Sequence, residues 1–133
     1  MVHKITVQSG KREQMIDITD QVVQFVRHNA VQEGAVLVYC PHTTAAITIN
    51  ENADPDVVHD ILMALDKVYP HTCPEYRHRE GNSAAHLKAS TIGSSQFIPV
   101  AAGRLLLGTW QGIYFCEFDG PRQRSCYLKL LPD

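Results

Sequence analysis

The stretch Gly108-Thr109-Trp110-Gln111-Gly112-Ile113-Tyr114-Phe115-Cys116-Glu117-Phe118 sets the chain's single tryptophan between two glycines and runs on into an apolar, aromatic segment. Glycine weakens a strand unless backbone or ligand must come close. Gly112 to Phe118 therefore reads as a strand entered through a tight approach. Working outward, Phe97 to Val100 and Arg104 to Leu107 read as strands joined by a turn at Ala102-Gly103. On the other side a turn at Asp119-Gly120-Pro121 leads into a strand over Arg124 to Leu130.

Towards the N-terminus, His3 to Gln8 alternate as a half-buried strand does, and Gln14 to Ile18 are expected to pair with them as a hairpin after a turn at Ser9-Gly10. Thr19 or Asp20 can cap a helix carrying Val22, Val23, Val26 and Ala30, which Gly34 closes. Ala35 to Tyr39 and Ala45 to Ile49 read as strands. Asp54 before Pro55 is a strong helix start, with Val57, Ile61, Leu65 and Val68 as its buried stripe. Tyr69 to Gly81 is a long polar connection, and Asn82 or Ser83 begins a short helical turn through His86 to Ser90. The expected fold is α+β, a mostly antiparallel sheet or sandwich with two main helices, in a single domain over residues 1–133.

The formal charge of −2, with twelve basic residues spread along the chain, gives no basic face and so no nucleic-acid footprint. No apolar run approaches the roughly 18 residues that span a bilayer, and the first residues lack a signal-peptide core. A soluble, cytoplasmic protein with no membrane partner is expected. Cys40, Cys73, Cys116 and Cys126 show no Cys-x-x-Cys pair. Three lie in strand-like runs and read as small buried hydrophobes; none is assigned a catalytic role.

Seven histidines are many for this length. His42, His78 and His86 fall at a strand end, in a loop and in a short turn, where side chains can enter a cleft. Their spacing matches no local metal-binding pattern, so a shared metal site competes with plain hydrogen-bonded or solvated histidines. His3, His28, His59 and His71 read as surface residues. Glu51 and Asp54 stand between a strand and a helix; Asp54 has a capping role to explain it, whereas Glu51 is the functional carboxylate. Lys88, Arg122 and Arg124 are the candidate anion binders, with Arg124 otherwise a solvated surface residue and the amides at the Asn82 turn adding to the cradle. Thr43 and Thr44 offer hydroxyls at a strand mouth. Trp110 either stacks on a flat heteroaromatic ring, with Gln111 reading its edge, or anchors the core.

Five segments in order, His42-Thr43-Thr44-Ala45, Asn50-Glu51-Asn52-Ala53-Asp54-Pro55, Glu80-Gly81-Asn82 with His86-Leu87-Lys88-Ala89-Ser90, Ser95 through Gly108-Thr109-Trp110-Gln111, and Glu117-Phe118-Asp119-Gly120-Pro121-Arg122, give the chain a recognisable pattern over nearly its whole length. The pattern resembles the YjbQ family, small proteins linked to a secondary thiamine-phosphate synthase activity. Val68 to Glu75 is the least family-like segment, so His71 and Cys73 inherit nothing. The resemblance implies a metal-dependent transferase that joins a hydroxymethylpyrimidine diphosphate to a thiazole phosphate, working as a homotrimer. In that scheme His42, His78 and His86 hold a divalent ion, zinc or magnesium, and Glu51 supports it or a water. Lys88, Arg122, Thr43 and Asn82 bind the phosphorylated substrate, while Trp110 and Gln111 position a ring. Two rivals remain: a zinc hydrolase of a small ester or phosphate with Glu51 as base, and a non-catalytic module that binds a metabolite or metal.

Overall fold

The structure, a computed structural model, describes residues 1–133. The chain runs β1 (Val2–Gln8), β2 (Gln14–Asp17), α1 (Thr19–His28), β3 (Gly34–Tyr39), β4 (Ala45–Glu51), α2 (Pro55–Val68), α3 (Ser83–Ile92), β5 (Ser95–Ala101), β6 (Arg104–Leu105), β7 (Gln111–Glu117) and β8 (Gln123–Pro132). The strands form a five-stranded sheet, order β1-β8-β3-β5-β6, and a three-stranded sheet, order β2-β7-β4. Every pairing is antiparallel. The expected α+β class with mostly antiparallel sheets holds, and there are three helices rather than two main ones.

β7 shows why its sequence is an unbroken apolar run instead of an alternating one. Ile113 and Phe115 enter the larger core with Val36, Val38, Ile47, Ile98 and Leu128. Tyr114, Cys116 and Phe118 enter a second core with Ala46, Ala85 and Ala89, against which Val58, Leu62 and Leu65 of α2 pack. A strand buried on both faces needs no polar alternation. The three-stranded sheet is thus a middle layer, facing the other sheet on one side and α2 with α3 on the other. Val22 and Val26 of α1 complete the larger core.

The glycine before this run works as its strand position requires. A Cβ on Gly112 would lie 2.7 Å from both Cβ and Cγ of Asn52, whose side chain crosses β7 there and donates to Asp17 Oδ2 at 3.0 Å. Gly112→Ala is expected to lower stability by about 1–3 kcal/mol through this overpacking, read from a urea unfolding midpoint with unchanged slope. The paired variant Gly112→Ala/Asn52→Ala should recover most of that loss.

The expected β1–β2 hairpin does not form. β1 pairs with β8, with Ile5 opposite Cys126, and β2 pairs with β7, with Met15 opposite Cys116. Ser9 explains the divergence: its N–H donates to the Arg122 carbonyl at 3.1 Å and its hydroxyl to Glu117 Oε1 at 2.8 Å. The residue read as a turn is instead 2 % exposed and tied between the two sheets.

Helix boundaries differ in instructive places. α1 takes no side-chain cap from Thr19 or Asp20; Asp17 Oδ1 accepts from the Thr19 N–H at 2.9 Å and from its hydroxyl. The helix ends at His28 with Asn29 as its C-cap, and Gly34 opens β3 with φ +150° against the β8 backbone. α2 starts as expected, with Asp54 Oδ1 accepting from Asp56 N at 2.9 Å, a cap worth about 1 kcal/mol. Its packed stripe is Val58, Leu62 and Leu65, while Val68 is exposed. α3 extends well beyond the expected short turn. Its buried face is Ala84, Ala85, Lys88 and Ala89, so small side chains and a lysine hide the helical pattern. No helix is long and apolar enough to cross a membrane.

Candidate functional site

Beneath one end of the three-stranded sheet, where β7 stops and β4 starts, lies a buried ion pair. Glu117 is wholly buried and Arg124 is 4 % exposed. Arg124 donates to both carboxylate oxygens, through Nε at 2.9 Å and through Nη2. Nη2 also donates to Thr44 Oγ1 at 2.9 Å and to the Thr44 carbonyl at 3.3 Å. Glu117 further accepts the Ser9 hydroxyl and, at 3.0 Å, the Asp119 N–H. Burial alone would raise the Glu117 pKa, but Arg124, Ser9 and the Asp119 amide together hold it below its ordinary value. Two buried charges are tolerable here because every oxygen has a donor. The pair locks β7, β8 and the β3–β4 loop together under the residues that face solvent.

His42 sits on that loop. Its ring lies edge-on to Phe115, with centroids 6.4 Å apart at 79°. Nε2 accepts the Ser125 backbone N–H at 3.0 Å. Burial lowers the His42 pKa, and the positive charges of Arg124 and Arg122 reinforce the shift. The Ser125 N–H needs the Nε2 lone pair, which favours the neutral ring.

Beside it, Asp119 organises two further residues. Asn82, at the start of α3, donates through Nδ2 to Asp119 Oδ2 at 2.9 Å. Arg122 donates through Nε to the Asp119 carbonyl at 2.9 Å and through Nη2 to Oδ2 at 3.1 Å. Arg122 remains half exposed, so its other N–H groups are free for an anion in a fork already oriented. Asn82 Oδ1 is the one buried side-chain polar atom without a partner, an acceptor left for an incoming donor. One turn along α3, His86 meets His78 of the preceding loop; the two rings are 5.1 Å apart and nearly perpendicular. His78 Nε2 lies 3.8 Å from Glu80 Oε1.

Several expected site residues stand elsewhere. Lys88 is fully buried, and its ammonium donates to Glu13 at 2.5 Å and to Asp66. It ties α3 to α2 and the β1–β2 connection, and no phosphate reaches it; the phosphate role is corrected to a structural one. Arg124 is likewise neither an anion binder nor a solvated surface residue. Glu51, Trp110 and Gln111 lie at the opposite end of the sheet, since Glu51 pairs with Gln111 where Ala45 pairs with Glu117. Seven strand residues at about 3.3 Å each put some 20 Å between the two ends. Within one chain Glu51 therefore cannot support a group held by His42. Its carboxylate accepts the Asp54 N–H at 3.2 Å, so it has a structural task after all.

Trp110 is 63 % exposed and is no core anchor. Gln111 Oε1 accepts the Gly108 N–H at 2.8 Å and closes the tryptophan turn. Thr43 is exposed beside His42, whereas Thr44 is buried on Arg124. Cys40, Cys116 and Cys126 are buried free thiols, with burial pushing their pKa values up to about 11, 12 and 12. His3 stacks on Phe25 and, with His28, lines a groove of about 840 Å³ that shares no residue with this site.

The three-histidine centre does not form within one chain. No three His, Cys, Asp or Glu side chains converge closely enough to hold a metal ion, and the Nε2 lone pair of His42 is already taken by Ser125. Of the three histidines the structure brings His78 and His86 together, with ring centroids 5.1 Å apart.

In the sequence Ser9 and Asp119 read only as turn residues, and Glu117 and Ser125 carry no site role. The signal for Glu117 and Asp119 lies in their standing close in sequence to Arg122 and Arg124, although β7 and β8 belong to different sheets. Ser125 acts through its backbone and left no signal.

The model of the UPF0047 protein YjbQ-like family matches residues 3–133. The chain is 57 % identical over 131 residues to the UPF0047 protein YugU of Bacillus subtilis, covering 98 % of this chain and 99 % of that one. It is 48 % identical to a UPF0047 protein of Methanocaldococcus jannaschii, covering 100 % and 96 %. Among solved structures, a YjbQ/UPF0047 protein of Clostridium acetobutylicum superposes with a TM-score of 0.95 at 54 % identity, covering 97 % of this chain and 99 % of that one. A protein of unknown function from Sulfolobus solfataricus gives a TM-score of 0.95 at 33 % identity, covering 100 % and 97 %. Fold, motif order and sequence agree: the chain belongs to the YjbQ-like UPF0047 family.

Proposed function

We propose that the chain is a transferase of the thiamine-phosphate synthase kind, joining a hydroxymethylpyrimidine diphosphate to a thiazole phosphate. In this reaction the methylene carbon–oxygen bond breaks, a carbon–nitrogen bond to the thiazole forms, and pyrophosphate departs with the electron pair. What such a site must supply is charge stabilisation at the departing oxygens. The observation that carries the reading is the convergence of an oriented, half-exposed Arg122, the buried acceptor of Asn82 and the His78–His86 pair at one sheet end.

Arg122 binds phosphate oxygens with the N–H groups that Asp119 leaves free. Asn82 Oδ1 accepts from a substrate N–H or O–H. His78 and His86 are the residues that would hold a divalent ion, zinc or magnesium, which when bound would neutralise phosphate charge as a Lewis acid. The reading takes a cytoplasmic homotrimer as the working assembly, in which Glu51, Trp110 and Gln111 of one copy serve the site of the next. The hydrolase alternative would draw its base, Glu51, from a neighbouring copy in the same way, because within one chain Glu51 lies at the far end of the sheet.

The test is thiamine-phosphate formation with added zinc or magnesium, beside the metal content of the purified protein. Wild type is expected to form product and bind about one ion per chain. His78→Ala/His86→Ala should lose the ion and, if the ion serves the reaction, at least 100-fold of the rate. No product from wild type with either metal contradicts the reading.

A further inference from the structure

His42 is set by its backbone partner. β3 ends at Tyr39, opposite Tyr127 of β8. Two residues back along β8, the Ser125 N–H has no β3 residue opposite it, and the His42 ring fills that place with Nε2 as acceptor at 3.0 Å. A backbone N–H can only donate, so Nε2 must present its lone pair, and the proton of the neutral ring stands on Nδ1. Nδ1 bonds no protein atom and is not buried, because the only buried unpartnered side-chain atom is Asn82 Oδ1. The Nδ1 proton is therefore open to solvent.

We propose that His42 is a fixed, uncharged hydrogen-bond donor, through Nδ1, to an anionic oxygen of the bound substrate, and not a metal ligand. The proposal rests on the reading that this end of the sheet takes a phosphorylated substrate. Three features pre-organise the donor. Ser125 belongs to β8, whose register is held against Thr6 of β1. The loop carrying the ring is pinned where Arg124 bonds both oxygen atoms of Thr44. Phe115 supports the ring edge-on. A donor that needs no reorientation stabilises charge developing on an oxygen better than water does. Metal binding through Nε2 would break the Ser125 bond and leave a backbone N–H without a partner. Binding through Nδ1 would require that nitrogen to lose its proton.

Long-range ¹H–¹⁵N spectra of the ¹⁵N-histidine-labelled protein at neutral pH read the tautomer directly. A protonated Nδ1 and bare Nε2 at His42 are expected; a protonated Nε2 overturns the proposal. Inorganic pyrophosphate is then titrated into wild type, His42→Ala and His42→Asn, with zinc content measured on each. His42→Ala should bind pyrophosphate about tenfold more weakly, the loss of one hydrogen bond to a charged oxygen, and keep the zinc content of wild type. His42→Asn, which offers an amide N–H near the Nδ1 position, should restore most of the affinity. Should His42→Ala fail to fold, His42→Asn and the wild-type tautomer decide. Zinc lost in His42→Ala overturns the donor role, as does unchanged pyrophosphate affinity in that variant. If wild type itself binds no pyrophosphate, the phosphate-handling reading falls and takes the donor role with it.

Discussion

Glu117→Ala is expected to lower the unfolding free energy by about 3–5 kcal/mol, the usual result of leaving one member of a buried ion pair without its partner. Arg124 would keep only Thr44, while the Ser9 hydroxyl and the Asp119 N–H would lose their acceptor. For a chain of this size that loss corresponds to a fall in Tm of roughly 10–20 °C. Removing both charges is gentler than removing one. Glu117→Leu/Arg124→Met should cost less than the sum of its single variants by about 2 kcal/mol or more, measured as a double-mutant cycle in urea. Strict additivity would mean that the two side chains do not act as a pair.

The same carboxylate gives the pH dependence a sign. Its folded pKa lies below the ordinary 4.5, so its contribution is complete above that value and is lost as pH falls through the folded one. The depressed His42 pKa works in the same direction, because the unfolded chain binds that proton more readily. Wild type should therefore lose stability on acidification, and Glu117→Leu should lose less across the carboxylate range.

Lys88→Ala should cost about 3 kcal/mol or more, since it opens a cavity in α3 and leaves Glu13 facing Asp66 without the cation between them. Lys88→Met fills most of the space and removes the buried charge, so it should cost less than half as much. The two carboxylates can then relax by different routes: Asp66 is half exposed, and burial already raises the Glu13 pKa despite the lysine. Lys88→Met should leave pyrophosphate affinity within about twofold of wild type, while Arg122→Ala weakens it about tenfold. The opposite ranking would return Lys88 to the phosphate site.

Features governed by neighbouring residues were legible in the sequence. Asp54-Pro55 announces α2 because cap and first-turn geometry are local, and Ala102-Gly103, both with positive φ, announces the β5–β6 turn. The run ending in Phe118 announces a strand whatever covers its faces. Pairing partners were not legible in the same way. β1 and β2 are adjacent in sequence and look like a hairpin until Ser9 is seen bonding residues more than 100 positions away.

The site follows the same division. Its family motifs name His42, Asn82, His86 and Arg122, yet spacing could not reveal that β4 runs between His42 and Glu51 and separates them. Nor could it reveal that Lys88 meets Glu13 and Asp66 across 75 and 22 residues of chain. A lysine in a short turn reads as an anion binder until a second element covers it. The tautomer of His42 hangs on a backbone amide, which no side-chain pattern encodes.

The central claim is that this sheet end transfers a pyrimidine from pyrophosphate to a second substrate. Pyrophosphate release from hydroxymethylpyrimidine diphosphate, followed with and without thiazole phosphate, tests it most directly. The account predicts release that depends on the second substrate and matches thiamine phosphate formed one for one. Release at the same rate with the diphosphate alone, or none under either condition, would contradict it.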